Sequence, residues 1–172
     1  MHRHIGIYSG TFDPVHEGHT AFAKEAMDLF HLDKVVFLPE KKPRHKQGAS
    51  DISKRQALLD ETLLSEPKLE SHVLQSDQFT ILETLPELHR LLPGSRFTFL
   101  MGSDVALHLP TWENLPLLLA DASFLVAMRE GDSRTATERI FQQLEKSLNT
   151  PVRYTTIDSP RPTLRSSDIR KV

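Results

Sequence analysis

Short apolar runs alternate along the chain with longer stretches in which apolar residues recur every three or four positions. Ile5 to Tyr8 reads as a buried strand, and Ser9-Gly10-Thr11 as the turn that ends it. A helix is predicted from near Glu17, with Phe22, Ala26, Leu29 and Phe30 on one stripe. Lys34 to Leu38 is the next strand, ended by Pro39, and the polar, proline-broken segment Lys41 to Ser50 is a loop of ordinary mobility. Asp51 is placed to cap a helix running to Leu64, with Ala57, Leu58 and Leu59 inward. Leu69 to Leu74 reads as a strand, and Thr80 to Leu92 as a helix in which Pro86 marks a late start or a kink. Strands over Arg96 to Met101, Ala122 to Met128 and Val152 to Ile157 complete the pattern, with a helix over Arg134 to Leu148 between the last two. Strands alternating with helices imply βαβ units and an α/β fold with a mostly parallel sheet. Ligands of such sheets sit beyond the carboxyl ends of the strands, so chemistry is expected just after them.

The 172 residues fit one domain, 1–172, large enough to bury a core without staples. With no cysteine there is neither a disulfide framework nor a thiolate metal site. No apolar run reaches the roughly 20 residues of a membrane helix, and the N-terminal MHRHIGIYSG lacks a secretory pattern. The expectation is a soluble cytoplasmic protein. A formal net charge of −2 argues against wholesale nucleic-acid binding. Positive charge is local instead: Lys41, Lys42, Arg44, His45 and Lys46 surround Pro43, which suits a small polyanion. Of the histidines, His2, His4, His16, His19 and His45 crowd the first 45 residues.

Gly10-Thr11-Phe12-Asp13-Pro14-Val15-His16-Glu17-Gly18-His19 joins the first strand to the first helix. Gly10 admits close backbone approach, and the helix start offers unpaired N–H groups to phosphate. His16 and His19, three apart, would face one side as two donors, with Gly18 leaving the wall between them bare. By themselves the two histidines also fit a solvated helix face or half of a zinc site. A zinc site wants further ligands. No GxSxG elbow and no GxxxxGK[ST] loop occurs. Phosphate handling is the chemistry that remains.

As a unit, Ile5 to His19 (IGIYSGTFDPVHEGH) closely resembles the signature of the HxGH nucleotidyltransferases, and most of all the bacterial nicotinic acid mononucleotide adenylyltransferases. Ser9 stands where those proteins usually have a second glycine. Pro39 to Lys46 (PEKKPRHK) resembles their basic loop, with Arg44 set between Pro43 and His45. Gly102, Asp104 and Trp112 resemble their GxDxxxxxxxW arrangement. Gln78-Phe79-Thr80 lies where relatives have Ser-Tyr-Thr, and Leu164 to Arg170 resembles I-S-S-T-x-I-R, with Ser167 for the Thr and Arg165 for the first Ser.

The resemblance implies a single-domain, Rossmann-like open parallel sheet of nucleotidyltransferase type with helices on both faces. It implies adenylyl transfer from ATP to nicotinic acid mononucleotide, with His16, His19, Lys46 and Arg170 as catalytic residues. Ser9, Gly10, Thr11, Phe12, Gly18, Gly102, Asp104, Ser166 and Ser167 would bind ATP, and Thr80, Phe79 and Trp112 the pyridine substrate. Mg²⁺ would arrive on the phosphates, since no dedicated carboxylate cage is visible. Rival readings are transfer to nicotinamide mononucleotide, phosphopantetheine or a cytidylyl acceptor, a nucleotide-binding regulator without turnover, and a metal-dependent hydrolase. The partners implied are small molecules, with no nucleic acid and no membrane, and the oligomeric state is left open.

Overall fold

The computed structural model describes residues 3–44 and 46–170. His2 and His45 lie outside the described residues. The chain forms β1 (His4–Gly10), α1 (Glu17–Phe30), β2 (Lys34–Pro39), α2 (Ile52–Leu63), β3 (Leu69–Ser71) and α3 (Ile81–Leu91). It continues through β4 (Arg96–Gly102), α4 (Ser103–Ala106), a 3₁₀ turn at Leu109–Thr111, α5 (Leu115–Asp121), β5 (Ala122–Met128), α6 (Arg134–Leu148), β6 (Tyr154–Asp158) and α7 (Ser166–Ile169).

All six strands pair in parallel, in the order β3-β2-β1-β4-β5-β6. The chain winds outward from β1 in one direction and then returns to add β4 on its other side, so the order reverses between β1 and β4. Alternate side chains of β1 enter two separate cores. Ile5 and Ile7 join Phe97, Phe99, Phe124 and the inward residues of α3, α5 and α6. Tyr8 packs against the opposite cluster, where Phe22, Ala23 and Ala26 of α1 and Leu59 and Leu63 of α2 meet Phe37 and Leu100. Helices on both faces are therefore what the period-two alternation of buried strands requires.

Several elements depart from expectation. Leu29 is 52% exposed, because His31 (φ 50°) ends α1 in a left-handed turn and Leu32 takes the core position instead. In α2 the buried line is Arg55, Leu59 and Leu63, while Ala57 and Leu58 face outward. Asp51 occupies the N-cap position there without a side-chain cap bond. β3 stops at Ser71, and β6 runs two residues later than expected at its start. Pro86 lies inside α3, whose start at Ile81 is not delayed. α5, buried through Leu115, Leu118 and Leu119, had no clear periodic signal beside Pro116.

Candidate active site

The turn after β1 is built by reciprocal capping. His16 is the N-cap of α1, and its Nδ1 accepts a hydrogen bond from the Gly18 N–H at 3.1 Å. The Nδ1 of His19 accepts from the His16 N–H at 3.1 Å. Histidines thus fill both roles of a capping box. A ring nitrogen that accepts a backbone N–H carries no proton of its own, so each neutral imidazole holds its proton on Nε2. The rings stack with centroids 3.7 Å apart and planes 29° from parallel, an arrangement that two imidazolium ions would resist. Burial, reinforced by the charges of His16, Arg129 and Lys46, pushes the His19 pKa down to about 3. His16 is also held below its ordinary value, first by burial and then by Arg129. Both side chains are neutral donors at neutral pH.

A side chain between them would press on the His16 ring. A Cβ at Gly18 would stand 3.0 Å from Cε1 and Nδ1 of the His16 ring. At the end of β4, a Cβ at Gly102 would come within 2.5 Å of Asp104 Oδ1. Ser9 and Gly10 close β1 next to Leu38 and Pro39 of β2. Thr11 and Phe12 are buried, with the Phe12 ring edge-on to His19 at 5.1 Å. Their side chains pack inside the turn.

Asp104 is exposed after β4, with Arg129 Nη1 3.9 Å from its Oδ2. Arg129 follows β5 directly, and its field lowers the pKa of both imidazoles, so it belongs to this cluster. Asp132 accepts from the Arg129 N–H at 2.8 Å and from the Ser103 hydroxyl, locking this turn to the start of α4. Arg129 belongs to no motif in the sequence, and its place just beyond a strand is the signal available for it.

The C-terminal segment returns to the same turn. Ser166 Oγ donates to the Pro14 carbonyl at 2.9 Å, and Arg170 Nη1 reaches Asp13 Oδ2 at 2.8 Å. Ser167 is exposed beside them. Asp13 is buried and also accepts the Ser50 N–H at 3.0 Å. Burial works to raise its pKa, but the Ser50 bonds and Arg170 outweigh it and hold the carboxyl below its ordinary value. Arg170 is therefore first a clip between segments.

The basic loop is less free than expected. Lys41 Nζ donates to the Gln75 carbonyl at 2.6 Å, Lys42 Nζ to Asp77 at 2.5 Å, and Arg44 to Gln78 Oε1 at 3.0 Å and the Phe79 carbonyl at 3.2 Å. Lys46 makes no such bond among the described residues; it stays exposed, and its charge is felt at His19. That lacing carries the loop to the other half of the site. Phe79 is buried with its ring 5.5 Å from that of Trp112, and Thr80 holds the N-cap position of α3 without a side-chain cap bond, its hydroxyl donating to Glu83 Oε2 at 2.7 Å. Glu40, half-buried, accepts the Phe79 N–H at 3.2 Å, and burial raises its pKa. In α2, Arg55 is 2% exposed and each of its three nitrogens donates to a backbone carbonyl, a role that no sequence motif marks.

Comparison with known proteins identifies the family. Residues 7–172 match the model of the cytidylyltransferase-like family. A probable nicotinate-nucleotide adenylyltransferase of Neisseria gonorrhoeae is 35% identical over 139 residues, covering 78% of this chain and 69% of its own. One from Neisseria meningitidis is 32% identical over 97% of this chain and 87% of its own. One from Bacillus cereus is 32% identical over 98% of this chain and 85% of its own. Among solved structures, the Plasmodium falciparum nicotinic acid mononucleotide adenylyltransferase complexed with NaAD superposes with a TM-score of 0.77 at 18% identity, over 99% of this chain and 83% of that one. The same enzyme complexed with APC gives a TM-score of 0.74. Taken with the imidazole pair at the switch point, these matches establish that the chain belongs to the cytidylyltransferase-like family, in its nicotinate-nucleotide adenylyltransferase branch.

Proposed function

We propose that this protein transfers the adenylyl group of ATP to the phosphate of nicotinic acid mononucleotide, releasing pyrophosphate and deamido-NAD. A phosphate oxygen of the mononucleotide attacks the α-phosphorus of ATP and forms the new P–O–P linkage. The bond from the α-phosphorus to the bridging oxygen breaks, and that oxygen leaves with the pyrophosphate. No protein nucleophile takes part, so catalysis consists of positioning and charge stabilisation.

One observation carries the reading. Both imidazoles have Nδ1 occupied by backbone N–H groups, which leaves two preset Nε2–H donors beside a helix start at the carboxyl end of β1. Two neutral donors on stacked rings suit the oxygens of a polyphosphate. Ser9, Gly10, Gly18, Gly102 and Asp104 line the ATP side, Asp104 through ribose hydroxyls, while Thr11 and Phe12 offer backbone only. Lys46, Arg129, Ser167 and Arg170 supply charge and hydroxyl contacts to the phosphates, and Ser166 holds the segment that carries the last two. Phe79 and Trp112 take the pyridine ring, with Thr80 at its edge. Mg²⁺ is expected to arrive with ATP, bound to its phosphates as a hard cation on oxygen ligands.

Pyrophosphate release is measured with nicotinic acid mononucleotide, nicotinamide mononucleotide and phosphopantetheine in turn. The acid mononucleotide is expected to give the highest kcat/KM. His19→Ala is expected to lower kcat by roughly 10²–10³, the cost of one aimed donor. Near-wild-type turnover in that variant, or ATP consumed without any acceptor, sinks the proposal.

A further inference from the structure

Arg55 sits in the first turn of α2, 2% exposed, at a helix position that would ordinarily be apolar. Its guanidinium bonds to backbone only. Nε donates to the Ser50 carbonyl at 2.7 Å, Nη1 to the Thr11 carbonyl at 2.8 Å, and Nη2 to the carbonyls of Glu40 at 2.8 Å and Lys41 at 3.1 Å. Glu40-Lys41 and Ser50 are the two feet of the basic loop, and Thr11 belongs to the turn that carries the imidazoles. One planar group therefore closes the loop at both ends and ties it to the catalytic turn. Ser50 extends the link, since its N–H is held by Asp13, which in turn holds Arg170.

We infer that Arg55 is a positioning residue for the proposed reaction, setting the basic loop, and with it Lys46, at a fixed distance from His16 and His19. The inference rests on the adenylyl-transfer reading. Its physical basis is the geometry of the fork. Three nitrogens in one plane reach three strands of backbone at once, which the single ammonium of lysine does not do. A buried cation whose bonds all go to loop carbonyls fixes backbone position and holds no side chain of the core. Lys46 lies between the two anchored feet, four residues before Ser50, and its charge is felt at His19.

The test is a double-mutant cycle read as kcat/KM for ATP, at a temperature where circular dichroism shows every variant folded. Lys46→Ala is expected to lower kcat/KM roughly tenfold or more in the wild-type background. Arg55→Lys is expected to lower it by a similar factor, and adding Lys46→Ala to Arg55→Lys to change it less than about twofold. A second variant leaves Arg55 untouched: two glycines inserted after Gly48, where the loop is exposed and a Cβ would meet nothing within 4 Å. Slackening the tether there should erase the effect of Lys46→Ala in the same way, and this variant decides alone if Arg55→Lys does not fold. Multiplying, independent effects of the two substitutions overturn the inference and leave the reaction standing. An inert Lys46→Ala in the wild-type background overturns both the inference and the role proposed for Lys46.

Discussion

The His16–His19 pair shows how one side chain serves structure and chemistry together. Each ring spends Nδ1 on capping α1, and that expenditure is what fixes the proton on Nε2. The cost appears in acid. Because the His19 pKa is lowered to about 3, the unfolded chain binds a proton between its ordinary value of 6.5 and that point while the folded chain does not. Stability therefore rises with pH across this window and is lost as pH falls through it, by roughly 1.4 kcal/mol per unit from this group. His16 adds in the same sense; Asp13, whose pKa is lowered below 3.8, adds only further down. Urea unfolding at pH 7, 6, 5 and 4 should show the slope, and His19→Asn should flatten it between pH 6 and 4. An unchanged slope in that variant means that another group titrates.

At the start of α1, two preferences oppose one another. Alanine is a better helix former than glycine by about 0.8–1 kcal/mol, so Gly18→Ala ought to stabilise a bare helix. The added methyl instead meets the His16 ring at 3.0 Å. The expected outcome is a melting temperature near wild type with turnover reduced about tenfold, since a displaced donor costs rate more than stability. Thermal melts and pyrophosphate release check it, and a melt lowered in step with the rate would mean that the turn itself had collapsed. The neighbouring helix α2 teaches the converse. Read for apolar residues, its inward face is Ala57, Leu58 and Leu59; read for partners, it is Arg55, Leu59 and Leu63, at i, i+4 and i+8. An arginine on the buried line is invisible to a hydrophobic pattern, because what holds it there is backbone carbonyls of Thr11, Glu40, Lys41 and Ser50.

Across the molecule, the site exists because β1 and β4 are neighbours, although the end of β1 at Gly10 and the start of β4 at Arg96 lie 86 positions apart. The carboxyl ends of β1, β4 and β5 bring together the imidazole turn, Asp104 and Arg129, and the chain's last segment is drawn across by two ion pairs. Arg161 Nε meets Glu17 at 2.5 Å, and Arg170 meets Asp13 at 2.8 Å. Arg170→Ala leaves Asp13 buried with the Ser50 N–H still in place, which is expected to cost about 1–3 kcal/mol. It should also raise the KM for ATP and hasten tryptic cleavage after Arg165, as the segment carrying Ser166 and Ser167 comes loose. Limited proteolysis with and without ATP measures this, and cleavage at the wild-type rate would show that the clip is dispensable.

Strand and helix identity, the parallel α/β class and the turn from Gly10 to His19 were legible in the sequence, because periodicity, glycine placement and helix starts are local properties of the chain. Asp104, Trp112, Phe79 and the Ser166–Arg170 segment were found as separate pieces in the right order. Their convergence, the lacing of Lys41, Lys42 and Arg44 onto residues 75–79, and the places of Asp13, Arg55 and Arg129 depended on strand order and on hydrogen bonds between segments far apart in the chain. Those bonds form only once the sheet has assembled, so no pattern within a stretch of sequence encodes them.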